Sequence, residues 1–222
     1  DNAFFVKGFK RDEDYDKGIY TFQSVGSVAI CDIVNGGNNL LDACAAPGGK
    51  TVNLADKFDK VTAFELHEHR TELIREYAER MQKNNIITVC RDSSVYDESY
   101  AEKFDVVLCD VPCSGYGVVK DNPDIKLRRT EQDIAELNKI QSEILETCSK
   151  YVKKGGYIYY STCSVFKDEN ERICLDFLKN NKNFAPCETD SKLPCEKTAV
   201  GVSFFPDISF GAGFYVCKLK KD

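Results

Sequence analysis

The sequence predicts an α/β domain of doubly wound type, a mostly parallel sheet with helices on both faces. Three observations carry this: five short runs rich in Val, Ile, Leu and Tyr recur along the chain, polar-apolar stretches of helical period separate them, and the runs themselves are almost continuously apolar. Strands buried on both faces need that last feature, and alternating β and α elements build it into a parallel sheet. At 222 residues with 42% hydrophobic side chains, the chain suits one sizeable core better than two small ones.

The strands are expected at 39–45 (NLLDACA), 60–66 (KVTAFEL), 86–91 (IITVCR), 104–111 (FDVVLCDV) and 157–162 (YIYYST). The helical period is clearest where Ile134, Leu137, Ile140, Ile144, Leu145, Cys148 and Val152 fall three or four apart, and Thr130 followed by Asp133 is a cap for that helix. His67 and His69 are placed at the exposed start of another helix. Towards the end, 201–205 and 213–219 read as two further strands with no room for a helix between them, an antiparallel hairpin closing the sheet edge. The charged stretch from Lys7 to Lys17 reads as a linker, so residues 1–30 are taken as an N-terminal segment on the substrate side and 31–222 as the catalytic domain.

The chain opens with Asp1 and its only methionine is Met81, so a preceding segment is expected. Eleven cysteines are an odd number, and neither a secretory leader nor a spanning apolar stretch accompanies them. Reduced thiols in a cytoplasmic protein without a membrane partner are therefore expected. Metal is not expected either, because no C-x-x-C occurs and Cys109 and Cys113 are separated by three residues.

Ligands of such sheets bind at the carboxyl ends of the strands beside the topological switch point. The loop there, Asp42 to Thr51, contains Cys44, Ala45, Ala46, Pro47, Gly48, Gly49 and Lys50. Small residues let backbone approach a ligand, and the following helix offers free N–H groups. A phosphate-binding loop would need glycine where Cys44 stands, and G-x-G-x-x-G is absent. Glu65, ending the second strand, reads as the acceptor of two ribose hydroxyls or as a surface acid. Asp92 reads as a partner of an adenine amino group or as a turn residue.

Cys113 follows the fourth strand in Asp110-Val-Pro-Cys-Ser-Gly115, and Cys163 follows the fifth in Ser161-Thr-Cys-Ser164, which puts both on the ligand edge. Cys31, Cys90, Cys109, Cys148 and Cys174 read as small buried hydrophobes. With ACAAPGGKT, DVPCSG, NPDIKLRR and YSTCSV followed by DENE, in that order from about Gly18 to near the C-terminus, the chain resembles the RsmB/Nop2/Sun family of RNA cytosine-C5 methyltransferases. NPDIK with QSEIL looks most like the bacterial RsmB branch. The departures are valine in Asp-Val-Pro-Cys and Phe22-Gln23-Ser24 in place of a glutamine-aspartate pair.

The resemblance implies a Rossmann-like class I S-adenosylmethionine-dependent methyltransferase, with a NusB-like RNA-binding domain ahead of Asp1. It implies that the chain acts on small-subunit ribosomal RNA as a monomer. It assigns Cys163 as the nucleophile at carbon 6 of cytosine, Cys113 to product release, Asp110 to the cytosine edge and the cofactor, and Lys50 to tuning Asp110. A thiol with pKa near 8.5 is only a few per cent ionised at neutral pH, so the site must assist its deprotonation. Arg70, Pro112, Lys126 and Arg128 are assigned to the substrate side. Lys120, Lys126, Arg128 and Arg129 serve equally as phosphate contacts or as a solvated basic face. The net charge of -6 predicts weak RNA binding by this chain alone. Alternatives are transfer RNA as substrate and a catalytically silent RNA-binding scaffold.

Overall fold

The computed structural model describes residues 3, 4, 6, 8, 11–209 and 211–222, so part of the charged 7–17 stretch lies outside the described residues. Among the described residues, nine strands form one sheet: β1 (Gly37–Asp42), β2 (Phe58–Glu65), β3 (Ile86–Cys90), β4 (Phe104–Asp110), β5 (Val152–Thr162), β6 (Phe184–Pro186), β7 (Glu196–Lys197), β8 (Val202–Phe204) and β9 (Phe214–Lys221). The helices are α1 (Glu13–Asp16), α2 (Val25–Ile33), α3 (Gly49–Leu54), α4 (Glu68–Arg80), α5 (Ile125–Arg128), α6 (Glu131–Ser149) and α7 (Glu171–Asn180).

The sheet order is β3-β2-β1-β4-β5-β9-β8-β7, with β6 also on β9. The first five strands are parallel, whereas β9 runs antiparallel to β5 and β8 antiparallel to β9, the expected hairpin closing the edge. Successive side chains point to opposite faces of a strand. Leu41, Val107 and Tyr160 accordingly enter the core under α6 and α7, while Leu40, Val106 and Tyr159 enter the one shared with α2 and α3. The order reverses between β1 and β4, which leaves a crevice at their carboxyl ends.

Several expectations change in detail. β1 stops at Asp42, where the chain turns into the loop, although Ala43 N still donates to Leu108 O at 2.8 Å and Ala45 N to Phe64 O at 2.9 Å. The helical stripe ends at Ser149 inside α6. Val152 belongs instead to β5, because a buried strand start and a helix face both present an apolar residue there. Cys90 is exposed rather than buried, since β3 is an edge strand with one open side. Thr130 and Asp133 do form a reciprocal cap: Asp133 N donates to Thr130 Oγ1 at 3.2 Å and Thr130 N to Asp133 Oδ2 at 2.7 Å. His67 stands at the N-cap position of the exposed start of α4, without a side-chain capping bond.

The helix α2 crosses the 30/31 boundary and buries Ile30, Cys31 and Ile33 in the main core. Ahead of it, Arg80 clasps the N-terminal segment. Its guanidinium lies 4.0 Å from the Tyr15 ring centroid and donates to Tyr15 O at 2.6 Å and Thr21 Oγ1 at 2.9 Å. Gly18, at φ +72°, passes where a Cβ would meet Arg80 O at 1.8 Å. Arg80→Ala is expected to lower stability by about 2 kcal/mol, combining lost packing with unpaired carbonyls. Urea unfolding measures this, and limited proteolysis should show earlier cleavage within residues 12–24.

Candidate active site

The loop from Ala43 to Gly48 leaves the centre of the sheet and enters α3 with Gly48 in the left-handed region (φ +105°), where a Cβ would stand 3.3 Å from Ile74 Cα. Cys44 is half-buried against the core, Ala45 buried and Pro47 exposed. Thr51 in α3 donates to Asp42 Oδ2 at 2.7 Å, but Oδ1 of the same carboxylate is buried with no partner. Burial, opposed by the Thr51 bond, pushes Asp42 up to about 6.

At the end of β2, Glu65 is buried. His67 N donates to its Oε1 at 3.1 Å and Arg70 pairs with the same oxygen at 3.3 Å. Both bonds fall on one oxygen, which leaves Oε2 as an acceptor. Arg70 also donates to Ala46 O at 3.2 Å, which ties it to the loop at the end of β1. Asp92 is exposed and accepts from Ser94 N at 2.8 Å, shaping its own turn. An unpaired buried carboxylate oxygen, a glycine-lined loop and a carboxylate at the second strand end suit the ammonium, backbone-close and ribose parts of S-adenosylmethionine respectively.

Asp42→Asn tests this balance. Because the folded value lies above the ordinary 3.8, the folded chain holds more protons than the unfolded chain between about pH 4 and 6. Stability therefore falls as pH rises through that window, and a penalty of about 3 kcal/mol persists above it. The asparagine variant should melt higher than the parent at pH 7.5 but not at pH 4. Its affinity for S-adenosylmethionine should drop at least roughly tenfold, as for a lost charge-assisted bond.

Across the switch point, β4 and β5 end side by side with Asp110 opposite Ser161. Lys50 Nζ lies 2.7 Å from Asp110 Oδ2, and Ser161 Oγ donates to Oδ1 at 2.6 Å. Burial disfavours the Lys50 charge, but Asp110 and then Asp42 outweigh it, so the ammonium is held well above its usual range.

The two loops bring Cys113 Sγ and Cys163 Sγ to 3.1 Å, with Cys163 exposed and Cys113 half-buried. The Cys113 contact holds Cys163 below the ordinary thiol value; burial and Asp110 oppose this, and Lys50 assists. The same contact, with burial, pushes Cys113 well above it. Cys163 is thus the more readily ionised sulfur of the two and Cys113 the more readily protonated one. Beside Cys163 lies a cavity of about 110 Å³ lined by Lys50, Asp110 and Thr162, by Ser24 and Ser27 at the start of α2, and by Phe214 of β9.

Pro112 is exposed with its carbonyl accepting from Gln141 Nε2 at 2.9 Å. Lys126 and Arg128 stand exposed on α5, and Ile125 of that helix packs on Gly115, close to where a Cβ would sit at 3.1 Å. Arg128 is paired with Asp124 at 3.0 Å. Sequence reasoning does not single out Ser24, Ser27, Ser161, Gln141, Glu169 or Phe214. Ser24, Gln141, Ser161 and Glu169 lie within segments quoted from the sequence, whereas Ser27 and Phe214 do not.

The model of the family described as 16S rRNA methyltransferase RsmB/F matches residues 30–220. The ribosomal RNA small subunit methyltransferase B of Photorhabdus laumondii is 36% identical over 215 residues, which cover 93% of this chain and 48% of that protein. The chain thus spans about half the length of that curated relative. The crystal structure of PH0851 superposes with a TM-score of 0.91 at 28% identity, covering 97% of this chain and 51% of the other. The fold is shared as well with NSun6 from Pyrococcus horikoshii, solved with SFG, at a TM-score of 0.82 and 23% identity, over 97% of this chain and 56% of that one.

Proposed function

Because the chain belongs to the 16S rRNA methyltransferase RsmB/F family, we propose that it methylates carbon 5 of a cytosine in small-subunit ribosomal RNA, using S-adenosylmethionine and a covalent cysteine intermediate. The observation that carries this reading is the pair of sulfurs 3.1 Å apart beside a cavity that also holds Asp110 and Lys50. Cytosine carbon 5 is a poor nucleophile, and a thiolate adding at carbon 6 makes it electron-rich.

When bound, S-adenosylmethionine supplies an electrophilic methyl group; Asp42, the 43–49 loop and Glu65 would hold it. Cys163 forms the sulfur–carbon 6 bond while the ring's electron pair moves towards carbon 5. Asp110, steered by Lys50 and Ser161, accepts from the exocyclic amine of the cytosine and shares a proton with N3, which takes up the ring's negative charge as sulfur adds. After carbon 5 is methylated, its proton passes to solvent, the carbon 5–carbon 6 double bond re-forms and the sulfur–carbon 6 bond breaks, which returns Cys163 as the thiolate. Cys113 supplies the proton-donating sulfur that assists this exit. The base reaches the cavity only when unstacked, as in a loop or bulge.

Incubating the chain with methyl-labelled S-adenosylmethionine and small-subunit ribosomal RNA, followed by nucleoside analysis, should yield label in 5-methylcytosine. Label in another nucleoside, or none in a folded and cofactor-binding chain, would refute the reading. Label confined to transfer RNA would keep the chemistry and change the substrate.

A further inference from the structure

Behind the two cysteines lies a carboxylate that the proposed chemistry does not use. Glu169 is fully buried just before α7. Its Oε1 accepts from Ser114 N at 2.7 Å and from Gln141 Nε2 at 3.1 Å; its Oε2 accepts from Ser114 Oγ at 2.5 Å and from Ser164 Oγ. Every partner of this group is a donor. Ser114 follows Cys113 and Ser164 follows Cys163, so a single side chain ties the two sulfur-bearing loops together.

The surroundings lock it further. Gln141 carries a second bond to Pro112 O at 2.9 Å, on the other side of Cys113, and Tyr160 donates to Glu169 O at 2.6 Å. Asn170 accepts from Thr162 Oγ1 at 2.5 Å and donates to Ser164 O at 2.9 Å, gripping both sides of Cys163. A buried charge left without its partners is severely destabilising, so so complete a ring of donors fixes the loops in one arrangement.

We propose that Glu169 is a positioning residue that holds the two sulfurs in contact and makes Cys163, not Cys113, the nucleophile. This inference rests on the methyltransferase reading above. Its electrostatic part follows from place: negative charge resists a second negative charge nearby. Glu169 acts on Cys113 in that sense, while the charged groups acting on Cys163 are Asp110 and Lys50. Distance and polarity of the pair therefore share one origin.

The test is alkylation of the full chain by iodoacetamide from pH 5.5 to 9.5 without RNA, with each cysteine followed by peptide mass spectrometry. In the parent, Cys163 should react at least about tenfold faster than Cys113 at pH 7.5, reflecting its larger thiolate fraction. In Glu169→Gln, which keeps the shape but removes the charge and one acceptor, that ratio should fall at least about fivefold, and the midpoint for Cys163 should move to higher pH. Binding of S-adenosylmethionine should be unchanged, because its loop lies elsewhere.

An unchanged ratio and midpoint in a folded Glu169→Gln would overturn the proposal. If that variant does not fold, Ser114→Ala with Ser164→Ala decides: it keeps the carboxylate but removes both hydroxyl donors, and should at least halve the ratio. Parent-like selectivity there would equally overturn it. Loss of selectivity in the variants, together with a folded parent chain that fails to methylate cytosine, would sink the methyltransferase reading alone. Robust methylation with selectivity intact in the variants would sink only the role of Glu169.

Discussion

Cys163→Ala abolishes both methylation and the covalent RNA adduct, whereas Cys113→Ala retains the adduct and accumulates it; these are the outcomes expected from the proposed roles of the pair. Removing a nucleophile from a concerted site costs roughly 10⁴-fold or more in turnover. The loss is chemical, not structural: Cys163 is exposed, and such substitutions change stability by only about 0.5 kcal/mol. Single-turnover methylation and denaturing gels of RNA-bound protein read the two phenotypes directly. If the alanine phenotypes come out exchanged, the roles of the two cysteines are reversed.

The same pair sets a pH dependence. Cys163 is active as the thiolate, so the rate should fall as pH drops through a midpoint below the ordinary thiol value, the direction imposed by the Cys113 contact. In Cys113→Ala that donor is gone. The midpoint for adduct formation should then move up towards about 8.5.

Lys50→Met should be the second large effect. The ammonium and the Asp110 carboxylate are about one-fifth and one-quarter exposed and 2.7 Å apart, so removing one partner strands a largely buried charge. Such losses are of the order of 3–4 kcal/mol, or roughly 10²- to 10³-fold in rate where the pair acts on the transition state. Lys50 is held above its usual value, which makes its contribution to stability full below about pH 10 and lost only above it. The loss of stability should therefore be constant from pH 6 to 9. Lys50→Arg should not restore activity, since a planar fork does not replace a point charge in that space. Parent-like turnover in Lys50→Met would remove Asp110 tuning from the mechanism.

The sheet was readable because buried strands leave apolar runs and α6 leaves a stripe, patterns that depend only on neighbours along the chain. Errors arose where two structures share one local signature. Val152 continues the α6 stripe yet begins β5, and Cys90 looks like any strand cysteine until β3 proves to be at the sheet edge. Motif spacing placed Cys113 and Cys163 on the same edge of the sheet. It could not place Arg70, whose partner is the loop 24 residues upstream.

From its own residues the chain thus determined the α/β class, the strand ends where chemistry gathers, and the family to which its motifs belong. Tertiary structure alone decided that Lys50 meets Asp110, that two sulfurs 50 residues apart touch, and that Glu169 is ringed by Ser114, Gln141 and Ser164. Periodicity is a property of adjacent residues, whereas a distance between loops depends on register, twist and burial summed over every strand between them.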